Sequence, residues 1–494
     1  MSVYGFVFRR SWRAAIALGF AGAVTALGCA GEATGPAESP SGAGTGSAVG
    51  AASAAPEALP AIEFVEDDVE AAAARAKAEG KALFVDVWAP WCHTCLSMKS
   101  YVLNEPALRP LASRVVFAAI DSDRPSSARF LESHKVNVWP TFFVIDPTND
   151  VVAGAWPGSA SLSEMRAFIE DGVATIDAMR AGTLAEGSPL RLVAEARAAQ
   201  AGGDPAKAAA LFERAAGGLA ADHPRRSEVR MGWIFALYAA KEPARCAEVG
   251  RAHVAEVKGA AVPADFSSFL IACAEKLPDA EKGPAMAAAI ERLRQVTGSP
   301  SPEAAADDRA DAWGILAEAL EATGDEKGAR AALETKLSIL EKAAAAAPSP
   351  EVAATYDYAR AGTYVALGQG EKAIAMLEER ERQMPGSYEP PARLSGVLFK
   401  MGRSAEAKAA IDRAIGKAYG PRKLGYLRLR ASIAEKLGDT AGVVATLREE
   451  VQGWEALPAG QKNAAGLADA QKRLEAAEAS EKAGAGKAKA VRAP

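Results

Sequence analysis

The apolar positions of this chain fall into two rhythms. In residues 82–88, 115–120, 141–145 and 151–156 they form short continuous runs, the pattern of strands buried on both faces of a sheet. Around those runs lie segments of helical composition: 66–79, closed by Gly80, then 96–103, 125–135 and 162–179. Strands alternating with helices predict an α/β domain over residues 62–180, a central sheet flanked by helices.

Beyond Gly187 the strand runs stop. Alanine dominates and helical periodicity continues almost to the end. Four stretches repeat one design: an apolar helical segment, a glycine at 324, 368, 402 or 438, then a second helical segment. The glycines stand 44, 34 and 36 residues apart, and Gly203-Asp204-Pro205 marks an earlier, degenerate copy. Glycine permits the left-handed turn between two packed helices, and small residues let them approach closely. A helix–glycine–helix unit of about 34 residues resembles the tetratricopeptide repeat. That resemblance implies an all-α solenoid over residues 188–474 whose surface binds peptides or proteins. A plain spacer or self-association surface is the alternative. Residues 475–494, mostly Ala, Lys, Glu and Gly, are expected to be a disordered tail.

The N-terminal segment changes the expected address. Arg9, Arg10 and Arg13 precede an uncharged run from Ala14 to Gly28, too short to span a bilayer comfortably and suited to the core of a signal peptide over residues 1–28. The run ends in Ala26-Leu27-Gly28-Cys29, which resembles a bacterial lipobox, with Cys29 as the lipidated residue. Residues 29–61 are nearly all small or polar and bury too little apolar surface to fold, so they read as a flexible tether. The expectation is a membrane-anchored lipoprotein on the periplasmic side of a bacterial envelope. A soluble periplasmic or secreted protein is the alternative.

A chain of 494 residues with 49% hydrophobic and 24% charged positions fits globular domains, and its net charge of −5 offers no basic surface for nucleic acid. Five cysteines matter more by position than by number: Cys29, the Cys92–Cys95 pair, and Cys246 and Cys273. The last two lie 27 residues apart in predicted helices and are expected to pair as a structural disulfide in an oxidising compartment. Two unpaired core cysteines are the other reading. A CxxC pair is also half of a zinc site, but no second Cys/His pair stands at zinc-ligand spacing, so no metal and no cofactor are expected.

Cys92-His93-Thr94-Cys95 follows a buried strand and opens a helix. Unpaired N–H groups and the helix dipole stabilise an anion there, so Cys92 is the expected thiolate nucleophile. Cys95, one turn further in, would attack the mixed disulfide. His93 could add to the stabilisation if protonated, or be an exposed spacer.

The stretch Asp86-Val87-Trp88-Ala89-Pro90-Trp91-Cys92-His93-Thr94-Cys95, with Val138-Trp139-Pro140-Thr141-Phe142 downstream, resembles the thioredoxin superfamily. Residues 98–106 make it most similar to the C-terminal periplasmic domain of the DsbD-type transmembrane disulfide reductases. The resemblance covers about 110 residues. It implies that Pro140 is the cis-proline beside the redox pair. It also implies that Trp91, Trp139, Pro140 and Thr141 line the substrate groove, and that Asp86 is a buried acid receiving the proton of Cys95. Three positions depart from the pattern. His93-Thr94 replaces the usual Gly-Pro, Trp139 is bulky for its place, and Phe117 or Ala118 stands where thioredoxins carry a lysine near the acid. The function expected is an exported thiol–disulfide oxidoreductase that reduces or isomerises disulfides of client proteins, fed by a membrane electron donor. The alternative is a membrane-tethered scaffold whose thioredoxin-like part only recognises a partner.

Overall fold

The structure is a computed structural model and describes residues 60–491, with side chains to 483. The signal peptide expected over 1–28, Cys29 and nearly all of the tether lie outside the described residues.

Five strands form one mixed sheet: β1 (Phe64–Glu66), β2 (Ala82–Trp88), β3 (Val115–Asp121), β4 (Thr141–Asp146) and β5 (Val151–Pro157), in the order β1-β3-β2-β4-β5. β2 pairs with β3 in parallel and with β4 antiparallel. Parallel neighbours need a crossover, and the CxxC segment travels in it. Successive side chains point to opposite faces. Leu83, Val85 and Val87 pack with Phe130 and Leu131 on one face, against α1 (Val69–Ala78) and α3 (Ala128–Ser133). Phe84, Phe117 and Phe142 pack with Met98, Phe168 and Ile169 on the other, under α2 (His93–Met98) and α4 (Leu162–Arg180).

Three local readings need correction. Residue 66 ends a strand rather than opening a helix. Asp67 turns the chain with φ of 56°, and Asp68 caps α1 by accepting the Ala71 N–H at 2.9 Å. The helix expected over 96–103 is two pieces, α2 and a wider π-type turn, Lys99–Leu103. The segment 475–494, expected to be disordered, is helical to residue 491, because Ala, Lys and Glu are strong helix formers whether or not they pack.

The rest is helical. α5 (Pro189–Ala201) and α6 (Pro205–Gly218) form the first hairpin, followed by α7 (Arg226–Ala239), α8 (Pro243–His253), α9 (Val262–Ala274), α10 (Asp279–Gly298), α11 (Ala306–Ala322) and α12 (Glu326–Ala346). Then come α13 (Pro350–Ala354), α14 (Asp357–Ala366), α15 (Gly370–Gln383), α16 (Glu389–Lys400), α17 (Ser404–Ile415), α18 (Gly420–Lys436), α19 (Thr440–Ala456) and α20 (Ala464–Val491). Gly203, Gly324, Gly368, Gly402 and Gly438 each end a first helix at positive φ. After three of them an aspartate caps the second helix: Asp204, Asp325 and Asp439 accept N–H groups of Lys207, Gly328 and Gly442. The α7–α8 turn has the same geometry without glycine, Lys241 taking φ of 61°. One apolar core runs unbroken from the α4 face of the sheet through α5 to α11, so no free linker separates sheet and array.

Candidate redox site

β2 delivers the chain to the site. It ends at Trp88, Ala89-Pro90-Trp91 turns, and Cys92 takes extended backbone as the N-cap of α2. Its Sγ accepts the Cys95 N–H at 3.0 Å. Cys95 lies one turn into the helix and is bonded to Cys92 at 2.18 Å, both cysteines being buried. A sulfur in the cap position meets free helix N–H groups, the environment that favours thiolate once such a bond opens.

Asp86 shares the parity of Phe84 and therefore points to the sheet face that α2 covers. It is 2% exposed, and its Oδ1 has no hydrogen-bond partner among the described residues. Burial pushes its carboxyl up to about 7, with Lys99 pulling the other way. A lysine thus does approach the acid, from the turn after α2 rather than from β3, where Phe117 and Ala118 are core residues. Lys99 lies 4.5 Å over the Trp88 ring and 3.5 Å from Glu66.

The Trp139–Pro140 peptide bond is cis, and Thr141, opening β4, donates its hydroxyl to the Val138 carbonyl at 2.7 Å. Trp91 and Trp139 pack on the cysteine pair with ring centroids 5.3 Å apart. Their indole N–H groups reach one loop: Trp91 donates to Asp123 at 2.7 Å, and Trp139 to the Ser122 hydroxyl at 2.9 Å. Burial pushes the Asp123 carboxyl up to about 7, against that Trp91 hydrogen bond.

The other wall of the site comes from the array. His93 Nε2 meets Asp311 of α11 at 3.1 Å. Ser97 donates to Asp307, also on α11, at 2.7 Å. Tyr356, between α13 and α14, bonds Tyr101 at 3.0 Å. The Arg422 guanidinium of α18 sits over the Trp91 ring, and the Tyr419 hydroxyl bonds Asp121. Gln461, from the turn before α20, donates to the carbonyls of Ser122 and Arg124 at 2.8 and 2.7 Å. His93 also borders a cavity of about 350 Å³ whose remaining lining, Asp311 and Arg422 included, comes from the array.

The structure thus brings Asp86, Trp91, Cys92, Cys95, Trp139, Pro140 and Thr141 to one end of the sheet. Cys246 and Cys273 are elsewhere, joining α8 to α9 at 1.95 Å. Sequence reading missed Asp123, Asp307, Asp311 and Arg422. The one available sign was the four-residue spacing of Asp307 and Asp311, which puts two acids on one helix face. Among the described residues no group of His, Cys, Asp and Glu is placed to hold a metal ion, and no helix is long and apolar enough to cross a membrane.

Residues 64–147 match the thioredoxin-like family. Among solved structures, a tetratricopeptide repeat protein of Parabacteroides merdae is similar at 12% identity and a TM-score of 0.38, covering 59% of this chain and all of its own. A thermophilic TPR protein of Thermus thermophilus is similar at 20% identity and a TM-score of 0.26, covering 51% of this chain and 99% of its own. No curated protein sequence matches. The sheet topology, the capped CxxC pair and the glycine-turned helical hairpins together identify a thioredoxin-like domain fused to tetratricopeptide-like repeats.

Proposed function

We propose that the chain is an exported thiol–disulfide oxidoreductase that reduces or isomerises disulfides of client proteins. The observation that carries this reading is Cys92 at the cap of α2 with Cys95 within bonding distance, above a buried Asp86 carboxyl. In the proposed cycle the Cys92 thiolate attacks a client disulfide, forms a mixed disulfide and expels one client thiolate. Asp86 takes the Cys95 proton, the Cys95 sulfur attacks Cys92, and the second client thiolate leaves. Two electrons pass to the client and the Cys92–Cys95 bond returns. Trp91, Trp139, Pro140 and Thr141 form the groove for the client segment. A dithiol donor in the membrane restores the pair.

Export is supported by the charged and apolar pattern of residues 1–28 and by the bonded Cys246–Cys273 pair, which needs an oxidising compartment to persist. Lipidation of Cys29 would hold the protein on the periplasmic side of the membrane. The array supplies an extended surface for protein partners.

The test is insulin reduction by dithiothreitol with the wild-type chain and Cys92→Ser. Catalysis by the wild type alone supports the enzyme. Background rates for both sink it. They would leave the second reading, a tethered scaffold, which is favoured by the way the array already covers Trp91 and His93.

A further inference from the structure

His93 is the residue next to the expected nucleophile, yet a carboxylate partner of its ring lies 218 positions away on the array. Its Nε2 and the Asp311 carboxylate are 3.1 Å apart, with side chains only 12% and 14% exposed. Asp311 reaches Lys336 of α12 as well, at 3.8 Å. Gly314, one turn further along α11, makes room for that lysine, since a Cβ there would sit 2.5 Å from the ammonium nitrogen. The Tyr358 ring of α14 stacks on the imidazole at 6.1 Å.

We propose that Asp311 is a positioning residue for the redox pair: by holding His93 as a charged imidazolium beside Cys92, the helical array sets how much of Cys92 is thiolate. The proposal rests on the redox reading above and deepens it.

The charges around His93 favour this. Burial, the largest single influence, would lower the imidazole, but the Asp311 carboxylate and Asp307 on the same helix together raise it above its ordinary value. Lys336 of α12 opposes them. Across the cavity, Glu389 neutralises Arg393 at 3.2 Å and lies 3.7 Å from Arg422. In return, His93 and Lys336 hold Asp311 below the usual carboxylate range despite its burial. An imidazolium beside a sulfur stabilises the thiolate and so the reduced form, which makes the pair more oxidising.

The test uses the full chain. Alkylation of Cys92 by iodoacetamide is followed against pH in a Cys95→Ser background, read at the Cys92 peptide by mass spectrometry. Asp311→Asn should raise the midpoint by about one pH unit, a tenfold loss of thiolate below it. Asp311→Glu should restore most of the shift, and Asp311→Asn should do nothing further in a His93→Gln chain. With both cysteines present, two glutathione thiols reduce the pair and leave as glutathione disulfide. The equilibrium constant of that exchange should fall about tenfold in Asp311→Asn, roughly 30 mV. A midpoint indistinguishable from wild type, or the same shift without His93, overturns the proposal. A merely structural Asp311 would give the second result. Failure to reduce insulin would count against the client reading and leave the alkylation midpoint fully readable.

Discussion

The Arg422 guanidinium lies 4.7 Å from the centre of the Trp91 ring, although the two residues belong to different parts of the chain. Arg422 also donates to the Tyr426 hydroxyl at 3.0 Å and stands 3.7 Å from the buried Glu389. One half-buried cation thereby ties the redox segment to α18. We expect Arg422→Ala to cost about 1–2 kcal/mol, from the lost cation–π contact and a less compensated Glu389. Arg422→Lys should not restore it, because an ammonium cannot stack on the indole and reach Tyr426 in one plane. Urea denaturation of the three chains decides this.

Gly460 is a second tie. Its turn packs on α3 so closely that an added Cβ would lie 1.8 Å from the Ala128 carbonyl oxygen. Gly460→Ala should cost about 3 kcal/mol by forcing the turn off α3. Amide hydrogen exchange should speed up at residues 121–131. Gly425→Ala on α18, with nothing within 4 Å of its Cβ, should leave exchange there unchanged.

Asp86 gives a pH signature. Its carboxyl is raised by burial to about 7 in the folded chain, against about 4 in the unfolded one. Between those values the folded state keeps a proton that the unfolded state has lost. Asp86 therefore contributes stability that is complete below about pH 4 and disappears as pH rises through 7. Asp86→Asn should match wild type near pH 4 and exceed it by about 1–3 kcal/mol at pH 8 in urea denaturation. Asp123, also near 7, leaves a slope of the same sign in both chains. If Asp86 is the proton acceptor, insulin reduction by Asp86→Asn should fall about a hundredfold.

Lys241 predicts a gain. Its N–H bonds the Tyr238 carbonyl and the next N–H bonds that of Leu237, the pattern Gly203 and Asp204 make with Gln200 and Ala199. A side chain at φ of 61° is strained where glycine is not. Lys241→Gly should stabilise the chain by about 1 kcal/mol, seen as a higher urea midpoint with unchanged slope.

Those two turns mark what could be read from the sequence. Five hairpins were visible because glycine advertises a left-handed turn, and the α7–α8 hairpin was hidden because Lys241 adopts the same angle silently. Four of the five strands were visible as apolar runs. β1 was not, being three residues long and ending in Glu66. The CxxC pair stood out by its spacing after a buried strand, and Asp86 and Pro140 by the resemblance of the local motifs that carry them to the thioredoxin superfamily. Asp311, Arg422 and Gln461 are unremarkable residue types on helix faces and in a turn. Only tertiary packing across hundreds of positions brings them to the cysteines, and no local pattern encodes that.

The hydrogen bonds from Gln461 to the loop at Ser122 and Arg124 join residues 339 and 337 positions apart. A chain emerges from the ribosome N-terminus first, so the sheet and its cysteines are finished long before their last neighbour has been made. During that interval the Arg422 guanidinium is not yet over Trp91 and Gln461 is not yet on the loop. The order of synthesis thus makes the site's second wall the last part to be added, and the loop at Ser122 gains its final partner only when Gln461 arrives.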